Sequence, residues 1–107
     1  MKEKITDIIT LQQIKDPRGN LTVAEELIHV PFSIGRIEWL HPFGYTPLRL
    51  PPSAKMMVAA LAGEITLETK DSSPIRLCRS DQGFVMRQKA ECCIREASED
   101  SVVLLIF

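Results

Sequence analysis

Lys55-Met56-Met57-Val58-Ala59-Ala60-Leu61-Ala62-Gly63 can be drawn as a helix or as a wall strand, and the architecture of the whole chain turns on which. Composition argues for helix. Alanine, methionine and leucine are good helix formers. Ser53 stands where an N-cap would, and Gly63 where the chain would leave a helix C-terminus. Two prolines, Pro51 and Pro52, mark the boundary on the N-terminal side.

What flanks this stretch is strand-like. Glu64-Ile65-Thr66-Leu67-Glu68-Thr69 alternates strictly, apolar in and polar out. Asp71-Ser72-Ser73-Pro74 is a turn, Ile75-Arg76-Leu77-Cys78 a short strand, and Ser80-Asp81-Gln82-Gly83 a second turn. Phe84 to Met86 and Ala90 to Arg95 follow, and Glu96 to Asp100 turns the chain. Val102 to Phe107 is apolar on both faces, the mark of a strand in the middle of a sheet.

Upstream, Ile5, Ile8, Ile9, Leu11 and Ile14 have no clean period. Lys15-Asp16-Pro17-Arg18-Gly19-Asn20 is a strong turn into Leu21-Thr22-Val23-Ala24, which Glu25-Glu26 ends. Those two glutamates are expected on opposite strand faces, so they are no glycosidase-like pair. His29 reads as a turn residue. Ser33 to Leu40 alternates, with Ile34 and Arg36 on one face, Ile37 and Trp39 on the other. Two prolines and a glycine in residues 41–47 exclude a central strand there. Short strands at this spacing point to an all-β sandwich or barrel.

A length of 107 residues suits a single domain, 1–107. Thirteen basic and fourteen acidic residues leave a formal net charge of -1, which recruits neither nucleic acid nor an anionic membrane. No apolar run reaches the ~18 residues of a membrane span. Met1 to Asp7 lacks the apolar core of a secretory signal, so the cytoplasm is the expected location. Cys78, Cys92 and Cys93 are odd in number and lack a CxxC spacing; they read as reduced, small apolar residues inside strands. Phosphate-loop, dinucleotide, HExxH and GxSxG patterns do not occur.

Arg18-Gly19-Asn20-Leu21-Thr22-Val23-Ala24-Glu25-Glu26, followed by Pro31-Phe32-Ser33-Ile34-Gly35-Arg36-Ile37, resembles the dTDP-sugar 3,4-ketoisomerases, a WxcM-like branch of the cupin superfamily. Asp16, Arg18, Gly19, Leu21, Glu25, Glu26, Pro31, Phe32, Ile34 and Arg36 fall on that family's pattern without a gap. Leu61-Ala62-Gly63 falls where the family has a strand ending in glycine at a tight hairpin. The resemblance therefore implies that Met56 to Leu61 is a strand, against its composition. It implies a cupin-like double-stranded β-helix, or jelly roll. It also implies a homodimer in which N-terminal strands are exchanged, and 4-keto to 3-keto isomerisation of a nucleotide-linked sugar without metal or other cofactor.

That chemistry moves a proton between neighbouring carbons through an enediol, and histidine, with an ordinary pKa of ~6.5, suits it best. The family's His-x-His positions fall on Arg49 and Pro51, its preceding Arg-Gly on Thr46 and Pro47. The later Trp-His pair falls on Glu91 and Cys92, and a strand tyrosine on Glu38. The family's C-terminal tail falls beyond Phe107. An arginine stays protonated and proline cannot titrate. With only His29 and His41 in the chain, the usual cupin metal set is not expected either.

The expectation is a non-catalytic relative that binds a sugar nucleotide or pairs with an active paralogue. Arg36, Arg49, Trp39 and Tyr45 are the candidate ligand contacts, the arginines as anion clamps and the aromatic rings as stacking surfaces. For Arg36 the alternative is a structural pair with Glu38; for the rings, it is core or interface packing. If the chain is active, Glu38, His41 and Glu91 are the residues left to carry a rearranged acid–base set. A purely structural module is the third possibility, and it requires a barrel with no cavity large enough for a sugar.

Overall fold

The computed structural model describes residues 6–42, 44–48, 55–70, 72–87 and 91–107. Eleven strands occur among them: β1 (Thr6–Thr10), β2 (Gln12–Asp16), β3 (Gly19–Val23), β4 (Ile37–Leu40), β5 (Thr46–Leu48), β6 (Lys55–Ala62), β7 (Ile65–Thr69), β8 (Ser72–Leu77), β9 (Gln82–Arg87), β10 (Cys92–Ala97) and β11 (Val102–Ile106). A five-stranded sheet runs β1-β9-β6-β11-β4 and a four-stranded sheet β5-β10-β7-β8, with β2-β3 a separate hairpin. All strand pairings are antiparallel. The fold is the expected all-β jelly roll.

β6 is a strand because both its faces are covered. Met56, Val58 and Ala60 point between the two sheets, where they meet Leu67, Leu77, Phe84, Met86, Ile94 and Val103. Met57 points the other way, under Leu11, Val30, Phe32, Val85 and Ile106. A strand buried on both sides has no polar face, so it loses its two-residue period and looks helical in composition. β11, expected to be central, lies between β6 and β4.

Gly63 is a corner rather than a hairpin, because β6 and β7 belong to different sheets. It has φ +68°, and a Cβ there would strike Ser98 Oγ and lie 2.9 Å from Ser101 Cα. The Glu64 amide donates to Ser98 Oγ at 3.0 Å, and the Ser98 amide donates back to the Glu64 carbonyl at 3.0 Å. Only glycine meets both the dihedral and the space.

Several local expectations shift. Residues 33–36 precede β4 rather than forming part of it. β8 begins at Ser72 and takes in Pro74, which an edge strand tolerates. β10 runs on through Ala97. Glu25 and Glu26 lie in a turn, where the Glu25 amide donates to His29 Nδ1 at 2.9 Å; His29 Nε2 is 3.2 Å from Gln12 Oε1. His29 is a turn residue, as expected, and its ring locks the turn. Cys92 and Cys93 lie in β10, whereas Cys78 is exposed just after β8; all three are free.

Candidate functional site at the barrel mouth

Alternation along β4 turns Glu38 and Leu40 toward the space between the sheets and Ile37 and Trp39 away from it. Glu38 and Leu40, with Thr46, Pro47 and Leu48 of β5, Met56 of β6, Leu105 of β11 and Phe107, line a cavity of about 310 Å³ at one end of the barrel. A few residues deeper the interior is sealed: Val58, Phe84, Leu67 and Ile94 have no more than 1% exposure.

Arg36 sits on the rim. Its Nη2 lies 2.8 Å from Glu38 Oε2, and its guanidinium stands 6.0 Å from the Phe107 ring centroid. Backbone pairing fixes this corner, since the Arg36 amide donates to the Phe107 carbonyl and the Phe107 amide donates to the Arg36 carbonyl. Both side chains of the ion pair remain substantially exposed. The pair holds Arg36 in place without sequestering it, so an anion arriving at the rim meets a pre-oriented fork of N–H donors.

A second groove, about 360 Å³, lies beside the mouth across β5 and is lined by Tyr45, Pro47, Leu48, Glu68, Thr69, Lys70, Glu91, Cys92 and Cys93. Glu91 Oε2 is 3.3 Å from Lys70 Nζ. Hydrogen bonding to the Cys93 side chain raises the pKa of the Tyr45 hydroxyl above its ordinary value. Burial pushes the Cys92 thiol up to about 12, so it is inert at neutral pH.

The structure brings together only part of the expected set. Arg36 and Glu38 meet at the mouth. Trp39 is 63% exposed on the opposite face of β4, and Tyr45, 70% exposed, belongs to the second groove; neither packs in the core. Glu91 is in that groove too. His41 is exposed after β4 and lines neither cavity. Arg49 lies outside the described residues. The apolar wall of Leu40, Leu48, Met56, Leu105 and Phe107 was hidden from sequence reading, because residues that line a cavity and residues that fill a core use the same letters. Among the described residues, no three His, Cys, Asp or Glu side chains gather as a metal site.

The profile of the family described as WxcM-like, C-terminal matches residues 4–107. The chain belongs to the WxcM-like family. Solved structures with the same fold include a double mutant of the 3,4-ketoisomerase QdtA of Thermoanaerobacterium thermosaccharolyticum in complex with TDP. It shares 21% identity and a TM-score of 0.81, with 98% of this chain and 80% of that chain covered. The TDP-quinovose 3,4-ketoisomerase WlaRB of Campylobacter jejuni is similar at 22% identity and TM-score 0.82, covering 97% and 85%. A more distant likeness, 12% identity and TM-score 0.71 over 99% and 68%, is to the 3,5-epimerase RmlC of Legionella pneumophila. At these identities the likeness is one of fold. No curated protein matches the chain significantly. No helix of the described residues is long and apolar enough to cross a membrane.

Proposed function

We propose that this WxcM-like chain is a non-catalytic homologue of the nucleotide-sugar 3,4-ketoisomerases that keeps the barrel mouth as a binding site. The observation that carries the reading is the lining. Of the eight described residues that line the mouth, Glu38 has the only titratable side chain, and it is ion-paired to Arg36. Moving a proton from one carbon to its neighbour while protonating the oxygen needs a base and an acid in reach of one substrate. A single carboxylate held by a guanidinium supplies neither pair nor poise. Arg36 suits a diphosphate or sugar-acid oxygen, and the Phe107 and leucine wall suits the apolar face of a base or deoxysugar. A cavity at the mouth disfavours the purely structural module.

The resemblance also carries a homodimer into this reading. β1, an edge strand joined to β2 through Leu11 alone, is the segment that an exchange of N-terminal strands would move.

The test is calorimetric titration with dTDP and dTDP-4-keto-6-deoxyglucose, with deuterium exchange at the sugar carbons followed by NMR. Binding without exchange is the expected result. Exchange that disappears in Glu38→Gln would overturn the proposal in favour of a rearranged enzyme. No heat with either ligand would refute the binding site and leave only pairing with an active paralogue.

A further inference from the structure

β4 closes one side of the five-stranded sheet, and among the described residues no strand pairs with its outer edge. The pairing with β11 shows what that edge offers. Arg36 exchanges both backbone hydrogen bonds with Phe107. Opposite pairs in an antiparallel ladder alternate between bonded and unbonded. The β4–β11 register continues from there as Ile37 opposite Ile106, Glu38 opposite Leu105 and Trp39 opposite Leu104. Arg36, Glu38 and Leu40 therefore spend their backbone groups on β11, while Ile37 and Trp39 aim theirs outward. Those two residues also carry exposed apolar side chains, 43% and 63%. An open edge flanked by exposed isoleucine and tryptophan is a template for strand addition.

We infer that a second copy of this chain adds to the β4 edge, antiparallel, with Ile37 opposite Ile37 about a twofold axis. Charge selects the occupant and the register. A twofold pairing that uses the outward groups must centre on Ile37, on Glu38 or on Trp39. Centring on Glu38 sets two carboxylates opposite each other, which is repulsive. Centring on Trp39 leaves Arg36 and Glu38 without charged partners across the edge. Centring on Ile37 places Arg36 of each copy opposite Glu38 of the other, twice, extending the Arg36–Glu38 ion pair of each chain into a square of alternating charge. It also lays Trp39 across Gly35, which has no side chain to obstruct the ring. Such self-complementarity is what an isologous interface requires. The two five-stranded sheets become one, and the two mouths come side by side, each with an arginine of the other copy at its rim. This surface is at the opposite edge of the sheet from β1, so it is separate from any exchange of N-terminal strands.

Trp39 is the chain's single tryptophan, so its emission reports on this edge alone. Sedimentation velocity and Trp39 fluorescence would be followed together from low micromolar to near-millimolar protein. The expected result is association accompanied by a blue shift. Glu38→Arg sets two arginines opposite two and is expected to raise the dissociation constant roughly tenfold, because two symmetry-related contacts reverse at once. The double variant Arg36→Glu/Glu38→Arg is expected to restore it. Ile37→Pro removes an outward amide that β11 does not use and is expected to abolish association while circular dichroism shows the barrel intact. A mass that stays constant throughout the range, whether that of the monomer or of a dimer with exchanged N-terminal strands, overturns the inference. So does a concentration-dependent step that leaves Trp39 emission unchanged, or that survives Ile37→Pro, since either runs through another surface. Failure here leaves ligand binding at the mouth, read by calorimetry, standing or falling by itself.

Discussion

The two ends of the barrel interior are built from similar apolar residues and do different work. At the closed end Val58, Ala60, Phe84, Leu67 and Val103 leave no space. At the open end Leu40, Leu48, Met56, Leu105 and Phe107 line a cavity, with one ion pair at its rim. Along β6 the passage from one to the other takes two residues, from Met56 to Val58. Stability is therefore expected to concentrate at one end and recognition at the other. Phe84→Ala should make the contrast plainest. Phe84 is sealed against Val58 and its neighbours in the core, and removing the ring should cost about 3–5 kcal/mol in denaturant unfolding. A loss under 1 kcal/mol would mean that the closed end is not packed as described.

Gly63 turns the chain at that same end. Gly63→Ala adds a Cβ at positive φ against Ser98 and Ser101, and about 1–3 kcal/mol of stability should be lost. The same substitution at Gly44, also at positive φ but with nothing near its Cβ, should cost less, which separates the packing from the dihedral.

These two positions also show how far the sequence could be read. β7 was legible because one face is buried and the other wet, so its letters alternate. β6 was not, because burial on both faces erases the period and leaves composition, which points to the wrong element. Only the placement of Gly63 in a family pattern rescued it, and even then as a hairpin rather than a corner. At the mouth, Arg36 and Glu38 were legible as charged residues on one face. Phe107 was not, since its ring reaches the rim through backbone pairing with Arg36, 71 residues earlier in the chain. The second groove was equally hidden: it depends on β10 pairing with β5, which sets Cys93 opposite Pro47 beside Tyr45.

The cysteines extend the contrast to chemistry. Cys92 points into the core with Ile94, and burial raises its thiol from 9.0 to about 12. The native state thus holds that proton more tightly than the unfolded chain. The stabilising contribution is full below about pH 9 and is lost as pH rises toward about 12. Unfolding free energy should fall over that window in wild type and fall less in Cys92→Ala. At pH 8 a thiol reagent should modify exposed Cys78 rapidly and Cys92 last.

The smallest stability effect should come from the most consequential residue of the open end. Arg36 is largely in water and Glu38 partly so, and a solvent-accessible ion pair contributes ~0–1 kcal/mol. Arg36→Ala should therefore shift the unfolding midpoint barely at all. If the mouth binds an anion through this guanidinium, the same substitution should weaken dTDP binding roughly tenfold, a charge-assisted hydrogen bond being worth ~1.5–3 kcal/mol. Arg36→Lys keeps the charge but not the planar fork, and should recover only part of that loss. A variant that binds dTDP as wild type does, yet unfolds much more easily, would invert the division of labour. It would make Arg36 a strut for the Phe107 corner and move recognition away from the mouth.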